Sequence, residues 1–436
     1  MENSSHDIKA IRKVAFASLV GTTIEWYDFF LYGTASALVF APLFFPKYDP
    51  LTGTLASYGT YAVGFIARPI GGIVCGHYGD RIGRKSMLIL TLLLMGVATA
   101  LIGILPTYAQ IGIWAPIGLV ILRLAQGFAV GGEWGGAVLM AVEHAPPHRR
   151  GFYGSWPQIG VPAGLVLSTL VFGLISRLPD QALLAWGWRI AFLLSIVLVA
   201  VGLFIRLAIS EPPEFVRIRE SRTESRMPVL DTIRHHPKNL LVAMGARVAD
   251  NATFYIYTVF IITFATQPTV GFSRTTVLAS VAIAAIFQTI MLPIYGHLSD
   301  SIGRRPVYLF GAAGTILFAF PFFWLIETSR TSLLILATVT ALAVVHSGMY
   351  GPQASFFSEL FGTRVRYTGA SIGYQLSSVL AGGLAPLIAT YLLKETGKSW
   401  PIALYVVMMG AITFVSVLVA EETSRKEIGE HLESRT

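Results

Sequence analysis

Apolar runs of about twenty residues follow one another along almost the whole chain, separated by short polar breaks. A helix of about 20 apolar residues crosses roughly 30 Å of hydrocarbon. Twelve such runs can be drawn, at approximately 14–45, 54–77, 86–106, 112–142, 151–177, 184–210, 240–267, 274–295, 306–326, 331–358, 368–393 and 399–420. The pattern predicts an all-α integral membrane protein of twelve transmembrane helices. The longest polar stretch, Glu211 to Asn239, mixes Glu214, Arg217, Arg219, Glu220, Arg222, Glu224 and Arg226 and is broken by Pro228. Charges of both signs with few apolar residues fit a solvated linker bearing a short surface helix. The expected domains are therefore a six-helix unit over 1–210, a linker over 211–239, a second six-helix unit over 240–420 and a tail over 421–436.

Composition agrees with a bilayer. The chain is 54% hydrophobic and 13% charged, with mean hydropathy +0.64, about half as charged as an ordinary soluble domain. Lys and Arg fall unevenly among the loops: the N-terminal segment, the even loops and the tail hold 22 of the 32, and the odd loops hold 6. The positive-inside rule then puts both termini in the cytoplasm, and the expected location is the cell (inner) membrane. This asymmetry and the linker account for the net charge of +8, so no nucleic-acid partner is implied. The single cysteine, Cys75, excludes an intrachain disulfide. The first run, carrying Glu25 and Asp28, is too long and too acidic for a cleaved signal peptide, and is expected to stay attached.

The chain also repeats itself. Gly76-His-Tyr-Gly-Asp-Arg-Ile-Gly-Arg-Lys85 returns 220 positions later as Gly296-His-Leu-Ser-Asp-Ser-Ile-Gly-Arg-Arg305, with six of ten positions identical. Glu143 precedes Arg150 by seven residues, and Glu359 precedes Arg366 by the same spacing, an offset of 216. Tandem halves of this kind are related by an axis along the membrane normal and belong to transporters rather than enzymes.

Together these features resemble the major facilitator superfamily, with its two pseudo-symmetric six-helix bundles and its Gly-x-x-x-Asp-Arg-x-Gly-Arg-Lys loop after the second helix. The resemblance implies a cytoplasmic latch at Asp80, Arg81, Arg84 and Lys85, and at Asp300 and Arg304 in the second copy, with Glu143, Arg150, Glu359 and Arg366 alongside. Ser301 stands where Arg81 stands in the first copy, which implies a weaker second latch. Arg123-Leu-Ala-Gln-Gly-Phe-Ala-Val-Gly131 resembles the motif of proton-coupled members. Glu25-Trp-Tyr-Asp-Phe-Phe-Leu-Tyr-Gly33, Phe65-Ile-Ala-Arg-Pro-Ile-Gly-Gly72 and Gly131-Gly-Glu-Trp-Gly-Gly136 are similar to the metabolite:proton symporter branch, whose members carry shikimate, 2-oxoglutarate, citrate, dicarboxylates, and proline or betaine. Ala246-Arg-Val-Ala-Asp-Asn251 and His346 look nearest to its shikimate-type members.

The residues themselves supply candidate chemistry. Each ionisable group within a span costs about 2.5–3.5 kcal/mol on insertion scales, so those present need a partner or a purpose. Glu25 and Asp28, at i and i+3, are expected to share a helix face with Tyr32 and are candidate proton carriers. Arg68 and Arg123 are the cations of the same half, each fit to clamp a substrate carboxylate or to pair with an acid; the coupled-member motif favours Arg123 for the proton relay with a span-one acid, leaving Arg68 for substrate. Fixed structural ion pairs are the competing reading. Arg247 and Asp250, also i and i+3, either pair locally or leave Arg247 for an anionic substrate. Gln158, Asn251, Gln353 and Gln375 offer amides to substrate or to neighbouring helices. His346 is a candidate substrate contact or a titrating group, with a satisfied structural histidine as the alternative. Arg189 near a span end is expected to snorkel to water.

No Gly-x-x-x-x-Gly-Lys loop, Gly-x-Ser-x-Gly elbow or metal-ligand spacing is present, so no cofactor or metal is expected beyond protons as the coupling ion. The expected protein is a monomeric, proton-coupled symporter importing a small organic acid by alternating access, its partners being that acid, protons and the lipid bilayer. A carrier of proline or betaine is the second reading, ranked lower because a tail of Glu421 to Thr436 is too short for a three-heptad coiled coil. A non-transporting sensor is the third.

Overall fold

The computed structural model describes residues 2–82, 84–132, 134, 138, 141–142, 145–207, 234, 236–361 and 366–424. The side chains of 2–15, 17–18, 76–82, 84–86, 88, 205–206 and 366–368 are outside that description. The expected linker helix and the latch side chains of Asp80, Arg81, Arg84, Lys85, Glu143 and Arg366 therefore lie outside the described residues.

Within hydrocarbon every backbone amide must be satisfied by its own helix, so apolar sequence of this kind becomes helix throughout. The twelve spans are α1 (Glu2–Leu38), α2 (Pro50–Ile82), α3 (Arg84–Ile104), α4 (Trp114–Gly131), α5 (Arg150–Ile175), α6 (Asp180–Phe204), α7 (Pro237–Ala265), α8 (Arg274–Ile302), α9 (Arg304–Glu327), α10 (Thr331–Leu360), α11 (Gly369–Thr396) and α12 (Trp400–Val419). Among the described residues, the nine from α4 onward are long and apolar enough to cross a membrane. The predicted first run stops short of residue 45: α1 ends at Leu38, and a separate turn of helix, Phe40–Phe44, follows.

In the first half α1 packs on α5, α2 on α4, and α3 on α4 and α6; in the second α7 packs on α12 and α11, and α9 on α12 and α10. The halves meet chiefly through α5 against α8 and α2 against α11. Shifting every label by six turns one of these pairs into the other, the mark of two equivalent bundles about a two-fold axis. Leu317, Phe204, Leu241 and Trp114 point outward and exposed, which suits lipid. α7, by contrast, is 94% buried along its apolar window, and so faces protein on all sides and holds polar groups away from lipid.

Three helices of the second bundle carry a π-helical turn: Ile256–Phe260 in α7, Thr340–His346 in α10 and Ser378–Gly383 in α11. Such turns insert one residue into the ladder and gather at functional places. That of α11 lies at the bundle interface, where Phe65 of α2 lies against Gly382 and Gly383, whereas that of α10 packs on α8 and α9 of its own bundle.

Candidate functional site

The two bundles touch at both ends of the spans and leave a narrow cleft between. At the end that bears Val419, the carboxylate of Asp300 accepts from the amides of Gly151 (2.7 Å) and Phe152 (2.9 Å), capping α5 from the opposite bundle. Arg304 donates to Asp300 (2.7 Å), to Ser299 (2.8 Å) and through its fork to Glu359 (3.1 and 3.0 Å). Thr423 donates to Glu359 at 2.7 Å, while Glu422 accepts from the amides of Arg304 and Arg305 at the start of α9. The second loop copy is thus fully engaged without an arginine at position 301. Its strength comes from Glu359 and from the α5 amides, partners that the loop sequence itself does not display. At the far end Tyr58 lies 2.8 Å from Thr263 and donates to Val259 (3.2 Å), and Arg274 pairs with Asp180 (2.7 Å).

Between these contacts lies the cleft, walled by Thr22, Glu25, Trp26, Arg68, Val130, Trp134, Val138, Pro157, Gln158, Val161, Tyr374 and Gln375. Glycines place its arginine: a Cβ on Gly131 of α4 would stand 2.0 Å from the Arg68 carbonyl, and one on Gly127 1.8 Å from that of Gly64, so α2 and α4 run backbone to backbone. Arg68 then projects over Phe65 and Phe29, with its guanidinium carbon 4.2 and 4.3 Å from their ring centres. Its Nε and Nη2 are buried without a hydrogen-bond partner, and it makes no ion pair among the described residues. Arg123 covers the other side of Phe29 at 4.1 Å and also lies over Tyr32 and Tyr61. Two buried guanidinium groups therefore share one aromatic cage. Cation–π contact offsets part of their desolvation cost, and Glu25 brings a carboxylate to the same cleft wall.

The span-one acids do not share a face as expected. Glu25 faces the cleft, whereas Asp28, fully buried, turns into the first bundle, where it accepts from Ser195 of α6 at 2.8 Å beside Thr99 of α3. The intervening 60° is enough to separate cleft from bundle interior. Nor does Arg123 meet an acid. It donates to Gln126 (3.0 Å) and the Tyr61 carbonyl (3.4 Å), and Gln126 in turn donates to Thr99 (2.8 Å). An amide and a hydroxyl thus stand between Arg123 and Asp28, and Thr99 gives its own proton to the Met95 carbonyl (2.9 Å), so no direct pair forms. Sequence reasoning missed Ser195, Thr99 and Gln126; only Gln126 lay inside a quoted motif.

Of the other predicted contacts, Gln158 and Gln375 line the cleft and bridge the bundles, Gln158 donating to the Tyr350 carbonyl (3.3 Å) and Gln375 to that of Gly131 (3.2 Å). Tyr32 is spent on Thr60 (2.7 Å) and Asn251 on Ser378 (3.0 Å), neither reaching the cleft. Arg247 sits behind Tyr374, 3.3 Å from its ring centre, and donates to Asp250 and Gln353. His346 is also set back, among Asp250 and Gln288. Arg189, instead of snorkelling, donates to the Gly103 and Leu105 carbonyls at the end of α3 (2.8 and 2.9 Å). Among the described residues no group of three or more His, Cys, Asp or Glu is arranged to hold a metal ion.

Two six-helix bundles meeting around a polar cleft have the architecture of a membrane carrier. The pattern of the Major Facilitator Superfamily matches residues 19–372 and 251–434, and the chain belongs to that family of transporters. It is 41% identical over 418 residues to the shikimate transporter of Escherichia coli (strain K12), covering 95% of each chain. It is 39% identical over 425 residues to the inner membrane metabolite transport protein YhjE of the same organism, covering 97% of this chain and 96% of that one. The proline/betaine transporter of Escherichia coli (strain K12) is 33% identical over 428 residues, 96% of this chain and 85% of its own. Among solved structures, the proton:xylose symporter XylE bound to 6-bromo-6-deoxy-D-glucose superposes with a TM-score of 0.72 at 17% identity, covering 96% of this chain and 97% of that one. The protein is thus a multi-pass membrane transporter and not an enzyme.

Proposed function

We propose that the protein is a proton-coupled symporter that brings a small organic acid across the inner membrane by alternating access, with both termini in the cytoplasm and with 211–239 linking the bundles. The observation that carries this reading is Arg68: a buried guanidinium at the cleft wall, two of its nitrogens unpaired, and a second arginine on the far face of Phe29. A buried guanidinium with open donor nitrogens calls for an acceptor, best an anion. A carboxylate fits the guanidinium fork in bidentate fashion, and Gln375 keeps an unpartnered Oε1 that can accept from a hydroxyl group. The relatedness to a shikimate transporter supports the same substrate class.

Asp28 is the proton carrier in this reading. Among the described residues it is a buried carboxyl with one hydroxyl donor, Ser195, one unpartnered oxygen and no paired cation, with Thr99 and Gln126 standing between it and Arg123. Asp28→Asn in proteoliposomes tests it: the ratio of uptake with a proton gradient to uptake without one should fall to that of passive equilibration. An unchanged ratio would remove Asp28 from the coupling. A zwitterion such as proline or betaine is the second reading, favoured by the aromatic faces of Trp26, Trp134 and Tyr374 at the cleft and by the proline/betaine relative. The carrier acts as a monomer and takes no cofactor other than the proton.

A further inference from the structure

Where α7, α8 and α10 meet in the second bundle, a buried cluster remains that the reading above leaves without a task. Nδ1 of His346 lies 2.7 Å from Gln288 Nε2, and its Nε2 lies 3.2 Å from the Asp250 carbonyl and 2.8 Å from Asp250 Oδ1. The ring N–H points nearer the carbonyl, so Oδ1 takes no aligned hydrogen bond despite its closeness. The other carboxylate oxygen accepts from Arg247 and from Gln353 (3.1 Å). The charged and titratable groups around the ring are Asp250 and Arg247 from α7, Tyr308 from α9, Tyr350 on α10 itself and Tyr374 from α11; α8 brings neutral Gln288, and α5 brings Gln158 at the Tyr350 carbonyl.

An amide can present nitrogen or oxygen to a neighbour. With Gln288 Nε2 against Nδ1, the ring accepts and the histidine is neutral. Turned over, the amide offers Oε1, which otherwise has no partner, and Nδ1 donates to it. The ring is then an imidazolium with the Asp250 carboxylate as counter-ion. One rotation fits the pocket to both protonation states.

We propose that His346, held between Gln288 and Asp250, is a second proton-binding site of the carrier and sets the hold of Asp250 on Arg247. The proposal rests on the proton-coupled reading. Its step is a simple protonation: a proton from water binds Nδ1, no bond breaks, and the cluster passes from no net charge to one positive charge. Arg247 lies on the ring of Tyr374, which stacks on Trp134 at 3.7 Å, and both rings wall the cleft. Once the imidazolium engages Asp250, Arg247 is less neutralised and pulls harder on an anion in the cleft. By linkage a bound anion favours the proton equally. His346 ends the π-helical turn of α10, and that of α7 begins six residues after Asp250, so both helices carry a place to shift when the charge changes.

The test is ¹⁵N-histidine NMR of the full chain in lipid nanodiscs, with a His346→Gln spectrum assigning the signal. On acidification the His346 signal is expected to pass from the neutral, Nε2-protonated ring to the imidazolium, and added shikimate is expected to move that passage to higher pH. A ring that stays neutral throughout, or that titrates with no response to shikimate, overturns the proposal. Gln288→Leu keeps the histidine and removes the amide that serves both states; retention of the full shikimate-linked shift in this variant also overturns it. In proteoliposomes His346→Gln should lose the rise in shikimate uptake produced by a proton gradient. If the wild type accumulates shikimate on a gradient and the variant does so equally, only the second site is wrong. If the wild type moves shikimate without regard to any proton gradient, symport itself fails.

Discussion

Removing the Asp300 carboxylate should open the transporter at the end that bears Val419. Asp300 holds the two bundles together there by accepting from the Gly151 and Phe152 amides at 2.7 and 2.9 Å. Each hydrogen bond to a charged acceptor is worth about 1.5 kcal/mol net at the low end of its range, so Asp300→Ala forfeits about 3 kcal/mol of closure. That is roughly a hundredfold change in the ratio of open to closed. Arg304 keeps Glu359 and Ser299, so the variant does not strand a buried cation and the loss falls on the cross-bundle contact. The close approach of Gly151 to Gly296, where a Cβ on Gly151 would stand 2.3 Å from the Gly296 carbonyl, remains in the variant, so the change measures the carboxylate alone. Spin labels at His148→Cys and Ile302→Cys, in a Cys75→Ser background, report the separation by double electron–electron resonance. Both positions are exposed, one on each bundle. The expected result is a longer-distance population that grows in Asp300→Ala, with Asp300→Asn intermediate because it keeps one acceptor. Identical distance distributions in all three proteins would refute the assignment of Asp300 as the closing contact.

Other outcomes follow from the same geometry. Arg68→Lys keeps a charge but loses the planar fork, and should raise the KM for the acid by about tenfold with little change in protein yield; an unchanged KM would remove Arg68 from the substrate site. Gly131→Leu forces α4 away from the Arg68 carbonyl and should destabilise the protein by about 1–3 kcal/mol in detergent melting experiments, as overpacking does, whereas the same change at Gly59, which has open space around its Cβ position, should be mild. Replacing Arg123 with Leu should abolish uphill transport, and full accumulation by that variant would sink its coupling role. Glu422 lies beyond the end of α12; burial pushes its carboxyl up, but the amides of Arg304, Arg305 and Ser424 outweigh this and hold it below the usual glutamate range. A depressed folded-state value means that the stabilisation is present above the ordinary glutamate pKa and is lost as pH falls through the folded one. Melting temperature should thus decline on acidification below about pH 4.3 in the wild type and decline less in Glu422→Gln.

Hydrophobic run length was enough to read the twelve spans and their division into two halves, because a bilayer leaves the backbone no alternative to helix. The repeated loops pointed to Asp300 and Arg304 by position. The second repeat also placed Glu359 beside them, but the α5 amides that Asp300 accepts from, and Thr423 on Glu359, were not legible, since other segments bring them in. Arg68 was readable as an intramembrane cation that either clamps substrate or pairs with an acid, but its aromatic cage depends on how α1 crosses α2. The separation of Glu25 from Asp28 shows the limit most clearly: a helical wheel places them 60° apart, and only the positions of α3 and α6 decide that one faces the cleft and the other Ser195. Polar residues such as Gln288 and Ser195 carry no periodic or motif signal, so their place beside His346 and Asp28 emerges only from packing.

Uptake by purified protein in proteoliposomes, offered radiolabelled shikimate, 2-oxoglutarate, citrate and proline with and without an inward proton gradient, tests the central claim most directly. The account predicts that one of the acids accumulates above its outside concentration only when the gradient is present. Accumulation that ignores the proton gradient, or accumulation of proline alone, would contradict it.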